Sequence, residues 1–332
     1  MHGRKGAKKA EKRRKMLNIF LIILPVFAVA GIGYLLARFL KLDFSKLSTL
    51  SIWLLAPCLT IYTLSIRKFD SAMLAVALAS FAVFALLWVI SKLGSRFLCL
   101  EPKCSLVLVS STIMMNASYI GLPVCYLAFG NEGLAFAGVF ATVNSLIVYT
   151  YGVSAISKGK GEARKAEDEA SKPKARQNGS GNLAGRVPEF LRIPLFYAAI
   201  FAIALSISNI QLPPVLALPI QYVGSLDIFA GLFILGGTLA YAEKKAFDSA
   251  LLTAISCLKL LVGPALGLGA CLVFGVAGIA QKAVILEAGM PVAIYTVILA
   301  TRYKNESARF AAAVLVSTLL SIITLSVLLL IL

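Results

Sequence analysis

Apolar runs long enough to span a bilayer recur along the whole of this 332-residue chain, and they set its fold class before any motif is considered. A helix crossing the hydrocarbon core needs about 20 predominantly apolar residues. Ten such segments stand out: Leu17–Leu40, Leu47–Ser65, Ser71–Leu93, Cys104–Phe129, Gly133–Ile156, Phe190–Ser208, Val215–Tyr241, Phe247–Phe274, Ile279–Ala300 and Phe310–Leu332. Hydrophobic residues make up 59% of the chain and charged residues 14%, against roughly 25% charged in soluble domains. Lipid offers the backbone no hydrogen-bond partner, so each segment is expected to close its own ladder as a helix. The alternation of a membrane barrel is absent. The expected class is an all-α polytopic membrane protein.

The first segment follows a basic tail, as a signal peptide would. Its apolar core exceeds the usual ~7–15 residues, however, and no small-residue cleavage site follows. Six cysteines (Cys58, Cys99, Cys104, Cys125, Cys257 and Cys271) are scattered without a Cys-x-x-Cys pair, which suits small buried hydrophobes better than metal or redox chemistry. Cys99 and Cys104 flank a short loop, where a pairing stays open.

One long polar stretch, residues 157–189, reads as a linker. The chain divides into a basic tail (1–16), a five-helix unit (17–156), the linker, and a second five-helix unit (190–332). Matched landmarks argue that the units are copies. Gly121-Leu-Pro123-Val124 and Gly289-Met-Pro291-Val292 place their prolines 168 positions apart, and Leu24-Pro25-Val26-Phe27 and Ile193-Pro194-Leu195-Phe196 place theirs 169 apart. An odd number of spans per copy forces opposite orientations, an inverted repeat.

Lys and Arg in short loops set the orientation. The linker side holds eleven (Arg38, Lys41, Lys46, Lys92, Arg96, Lys103, Lys244, Lys245, Arg302, Lys304 and Arg309), and the opposite side three (Arg67, Lys68 and Lys282). The linker is therefore expected in the cytoplasm and both termini outside. Eight positive charges in the tail, from Arg4 to Lys15, oppose this. Translation from Met16 resolves the conflict, and an intact mass of the native N-terminus tests it; the alternative is that the tail overrules the loops. The net charge of +17 sits at span ends, in the tail and in the linker, without a nucleic-acid motif, so anionic lipid is the expected contact.

Pro123 and Pro291 each fall inside an expected span, where the ring removes a backbone donor and displaces the carbonyl four residues earlier, those of Tyr119 and Glu287. Bare backbone at membrane depth belongs where protein or a cavity surrounds it, so the expectation is two broken helices crossing at Gly121-Pro123 and Gly289-Pro291, with half-helix N-termini able to hold an anion. Glu287, one turn before Pro291, either carries a coupling proton or cation or pairs structurally with Lys259. Lys259 either pairs so or attracts an anionic substrate. Asp227 has no comparable neighbourhood in the sequence. Asn116 lies two turns before Pro123, and Asn144 is an amide inside the fifth segment; each can bind a carboxylate or bond between helices.

At these residues the chain resembles the auxin efflux carrier family, which includes bacterial and archaeal malate or malonate permeases and plant PIN-type carriers. The motifs are Asn116-Ala-Ser-Tyr-Ile-Gly-Leu-Pro123 with Phe129-Gly-Asn-Glu-Gly133, Leu286-Glu-Ala-Gly-Met-Pro291 through Ala300-Thr-Arg-Tyr303, and Lys259-Leu-Leu-Val-Gly-Pro264. The resemblance covers nearly all of the chain outside tail and linker. It implies ten transmembrane helices as two inverted five-helix repeats, with broken helices 4 and 9 crossing at their prolines, as in bile-acid sodium symporters and NhaA-like carriers. It also implies a transport domain (helices 3–5 and 8–10) moving against a scaffold (1, 2, 6 and 7), with Asn116 on the substrate carboxylate and Asn144 supporting the site. Two departures are that Glu287 replaces a glutamine, and that Ile193 and Leu195 stand where plant carriers have asparagines around the sixth-helix proline. A small dicarboxylate therefore fits better than auxin.

The expected function is secondary transport of a small organic acid anion by alternating access, with H⁺ or Na⁺ coupling through Glu287 left open, as is a homodimer. No Gly-x-x-x-x-Gly-Lys motif is present for ATP, and no cofactor or metal is expected. A cation/proton antiporter is the rival. A membrane-embedded enzyme is disfavoured because the single histidine is His2, in the tail; a sensor keeping the carrier fold is the remaining alternative.

Overall fold

The computed structural model describes residues 21, 24–42, 44–65, 70–157, 194–208, 210, 212–240 and 247–332. The basic tail, nearly all of the expected linker, and Arg67, Lys68, Lys244 and Lys245 lie outside the described residues.

In chain order the helices are α1 (Leu24–Leu40), α2 (Lys46–Ser65), α3 (Ser71–Phe97), α4 (Pro102–Ile113), α5 (Ala117–Ser157), α6 (Pro194–Ile207), α7 (Pro214–Leu239), α8 (Ser249–Val273), α9 (Gly278–Ala288), α10 (Tyr295–Tyr303) and α11 (Ser307–Ile331). Among the described residues six (α2, α3, α5, α7, α8 and α11) are long and apolar enough to cross a membrane, and no β-strand is formed. The ends of the helices follow local chemistry. Asp70 accepts from the Met73 N–H (2.9 Å) at the start of α3, and Asp248 from the Ala250 and Leu251 N–H groups (3.1 and 3.2 Å) at the start of α8, each satisfying donors that a first turn leaves orphaned. Pro102 opens α4, where its missing N–H costs nothing.

The expected fourth and fifth segments are partitioned differently in the structure. α4 ends at Ile113, residues 114–116 leave the helix, and α5 then runs 41 residues. At 1.5 Å per residue that is about 60 Å, twice a bilayer core of about 30 Å. The helix is in fact two arms that meet at Gly130, whose φ of 67° and ψ of −156° only a residue without Cβ adopts easily. The expected ninth segment is likewise divided into α9 and α10 by residues 289–294.

Two groups of helices pack separately. α2 lies against α6 and α7, while α1 approaches α7 so closely that a Cβ on Gly33 would meet the Phe233 carbonyl oxygen at 2.5 Å. In the other group α9 packs on α5 and α8, α3 on α4, α5 and α8, and α11 on α8 and α10; the Phe84 and Phe140 rings of α3 and α5 stand 5.2 Å apart there. α2 and α7 meet this second group at α5, and α7 also touches α11. Large apolar side chains such as Trp53, Phe81, Leu272 and Ile323 remain exposed on the outer faces, as a lipid-solvated surface requires. All six cysteines are free, so Cys99 and Cys104 are not joined.

Candidate functional site

Two extended segments, each interrupting a helix, cross antiparallel at Met115 and Val292. The Asn116 N–H donates to the Pro291 carbonyl and the Ala293 N–H to the Met114 carbonyl, both at 2.9 Å. Met115 and Val292 thus form the pair whose own backbone groups point away from each other, and side chains from neighbouring helices satisfy them. Asn144 of α5 accepts from the Met115 N–H (3.0 Å) and donates to the Met115 carbonyl (2.9 Å). Ser317 of α11 accepts from the Val292 N–H (3.1 Å).

The crossing corrects the position expected from the prolines. Pro291 lies in it, but Pro123 sits in the first turns of helix that follow, well past the break at residues 114–116. A π-helical turn over Ala117–Gly121 precedes Pro123 and takes up the missing N–H without breaking the helix; the break forms where Asn144 and the partner segment can satisfy the backbone. The 168-residue offset therefore does not superimpose the two breaks, since Met115 and Val292 are 177 apart. Nor is the Glu287 carbonyl left free, because it accepts from the Met290 N–H at 3.1 Å. Asn116 does not share a helix face with Pro123; it stands just ahead of the helix, its carbonyl accepting from Ile120 and Gly121.

Asn116 is buried and its side-chain Nδ2 has no hydrogen-bond partner. It lines a space of about 10 Å³ shared with Ser118, Tyr119, Asn144, Tyr149 and Tyr295. Ser118, Tyr119, Tyr149 and Tyr295 also line a neighbouring space of about 20 Å³ that reaches Asp227. Each is water-sized. A cavity of about 780 Å³ opens beyond Tyr149 and Tyr295, lined toward its mouth by Lys41 and Arg302. These two tyrosines, packed edge to face with ring centres 5.6 Å apart, divide the cavity from the Asn116 pocket.

Helix dipoles give the crossing its electrostatics. α5 and α10 begin there with their positive ends, and α4 and α9 finish there with their negative ends. Lys259, fully buried, donates to the Thr112 carbonyl at 2.9 Å and so complements the end of α4. It lines neither small pocket, and it forms no ion pair with Glu287, so the structural pairing is not found. Glu287 occupies the last turn of α9, where a negative group is disfavoured. Its carboxylate lies on Gly121, where any Cβ would collide with both oxygens; Cys125 Sγ donates to Oε1 at 3.8 Å, and Oε2 has no partner. Gly289 is also close-packed, though less so, as a Cβ there would stand 2.8 Å from Pro264 Cγ.

Asp227 has a neighbourhood after all. Ser51 of α2 donates to its Oδ1 at 2.5 Å, the Ser51 hydroxyl contacts the Tyr119 hydroxyl at 2.8 Å, and the Tyr119 and Tyr295 hydroxyls meet at 3.1 Å, their rings stacked 5.8 Å apart. Asp227 Oδ2 has no partner. The sequence signal for this cluster was the cost of an aspartate inside a span, which demands partners; Ser51, 176 positions away, shares no pattern with it.

The family model described as "Membrane transport protein" matches residues 18–329, and the chain belongs to that family, which includes the auxin efflux carriers. No curated protein matches it.

Proposed function

We propose that this chain, as a member of the membrane transport protein family, is a secondary transporter of a small organic acid anion, a carboxylate or dicarboxylate. The observation that carries the reading is the unpartnered amide of Asn116, buried at a crossing where two helices present their positive ends. A donor left without an acceptor suits a carboxylate oxygen, and the water-sized space beside it would widen in the transport cycle to admit the whole anion. Asn144 and Pro291 hold the backbone around it, Gly121 and Gly289 allow the close packing, Pro123 follows the π-helical turn that opens the downstream helix, and Lys259 offsets the end of α4.

Ten membrane helices in two inverted repeats, with α4/α5 and α9/α10 as the crossing broken pairs, suit this reading. The separate packing of α1, α2, α6 and α7 supports an elevator-type movement of the remaining helices against them. The chain would reside in the cell membrane with the linker inside and termini outside, so that the large cavity faces the cytoplasm. A carboxylate at the negative end of α9, with one oxygen unpartnered, supports coupling to H⁺ or Na⁺ at Glu287. The same feature, with Asp227, favours the second reading, a cation/proton antiporter.

Uptake by purified protein in liposomes tests the choice, using labelled malonate, malate, monocarboxylates and auxin under imposed Na⁺ or pH gradients. The anion reading expects accumulation of a carboxylate, weakened by Asn116→Ala, and altered ion dependence in Glu287→Gln. Cation flux with no anion movement under any gradient favours the antiporter.

A further inference from the structure

We propose that Asp227 holds a sodium ion at the boundary between the two groups of helices, with the Tyr149 hydroxyl among its ligands. The inference goes beyond the anion-carrier reading, since the site needs neither the Asn116 amide nor Glu287 and can fill without an anion.

Asp227 of α7 is fully buried. Its Oδ1 accepts from Ser51 at 2.5 Å and its Oδ2 has no partner, so among the described residues no Lys or Arg bonds the carboxyl. A carboxylate taken out of water on these terms is costly, because one hydroxyl bond does not replace its hydration. The space of about 20 Å³ that Asp227 lines is rich in oxygen: Thr60 of α2, Ser118, Ser145 and Tyr149 of α5, and Tyr295 of α10 border it with hydroxyls. The Tyr149 hydroxyl is buried and, like Asp227 Oδ2, has no partner. Two residues with orphaned oxygens, one of them a carboxylate, therefore border one water-sized space.

Three kinds of guest are small enough. A proton on Oδ2 removes the charge but creates an O–H with no acceptor in reach, and a proton on Oδ1 leaves Oδ2 bare; neither serves Tyr149. Water can bond both oxygens but leaves the charge uncompensated. A sodium ion supplies the positive charge and takes lone pairs from carboxylate and hydroxyl oxygens, the ligands of a hard cation. The hydroxyls keep their protons and turn about their C–O bonds to present those lone pairs. A divalent ion would exceed the single negative charge and leave a net charge buried. The oxygens come from both packed groups, Asp227 and Thr60 from α7 and α2, Ser118 and Tyr149 from α5, so a bound ion ties the groups together in this arrangement.

Thermal unfolding of the full chain in detergent, followed through the buried thiols with a fluorogenic maleimide, tests this. Replacing choline by Na⁺ at constant ionic strength should raise the midpoint saturably, by about 3–6 °C once Na⁺ exceeds its dissociation constant about ten-fold. K⁺, a larger ion, should need a higher concentration for the same rise. Glu287→Gln should keep the Na⁺ response. Asp227→Asn should lose it, while melting no lower than wild type in choline, since the variant removes an uncompensated charge. Tyr149→Phe keeps the ring and removes one ligand, and should raise the half-effective Na⁺ concentration about ten-fold or more. A wild-type midpoint that Na⁺ moves by less than about 1 °C overturns the proposal, and a rise on acidification in its place makes the guest a proton. A Na⁺ response retained in Asp227→Asn, lost in Glu287→Gln, or unchanged in Tyr149→Phe overturns it as well. No anion is present, so failure here leaves the carrier reading to its own uptake assay.

Discussion

Replacing Asn144 by leucine keeps much of the side-chain volume but removes both bonds that hold the broken backbone at Met115. The crossing geometry aims the Met115 N–H and carbonyl away from Val292, so Asn144, at 3.0 and 2.9 Å, is their partner, and the site is buried. A buried polar group left unsatisfied costs about 1–3 kcal/mol, so the two together cost about 2–6 kcal/mol. At about 2–4 °C per kcal/mol for chains of somewhat smaller size, the midpoint of thermal unfolding should drop by at least about 4 °C. Reaction of a fluorogenic maleimide with the buried thiols Cys104, Cys125 and Cys271 during a heating ramp in detergent reports the transition. Asn116→Ala is the internal control: its Nδ2 has no partner, so its loss should lower the midpoint much less while weakening anion binding. An Asn144→Leu protein melting within about 1 °C of wild type would refute the assignment of that amide to the backbone.

Gly121→Ala should destabilise by about 1–3 kcal/mol, because the new methyl overlaps the Glu287 carboxyl; the same thermal ramp measures it, and unchanged stability would mean that Glu287 packs elsewhere. Lys259→Met should lower stability by about 1–3 kcal/mol by orphaning the Thr112 carbonyl, yet leave the malonate dissociation constant near wild type in calorimetry, since Lys259 lines neither small pocket. Ser317→Ala should cost about 1–3 kcal/mol by orphaning the buried Val292 N–H, less than Asn144→Leu because one group is left unsatisfied instead of two.

Membrane class, the run of apolar helices and the motifs of the family could be read from the chain without coordinates, because the cost of burying backbone in lipid acts on composition and length alone. The presence of two interruptions was legible too, through Gly121-x-Pro123 and Gly289-x-Pro291. Their location was not. Proline forbids a donor at its own position, but a break also needs partners for the backbone groups it exposes, and those come from Asn144 and Ser317 on other helices. The buried ions divide in the same way. That Lys259, Glu287 and Asp227 must each find compensation follows from their place in apolar segments. Which groups provide it, the end of α4 for Lys259, a bare Gly121 and a thiol for Glu287, and a serine 176 positions distant for Asp227, depends on contacts between segments far apart in the chain. Periodicity and hydropathy report what one segment does to its own backbone; only the packed tertiary structure decides which side chains meet across it.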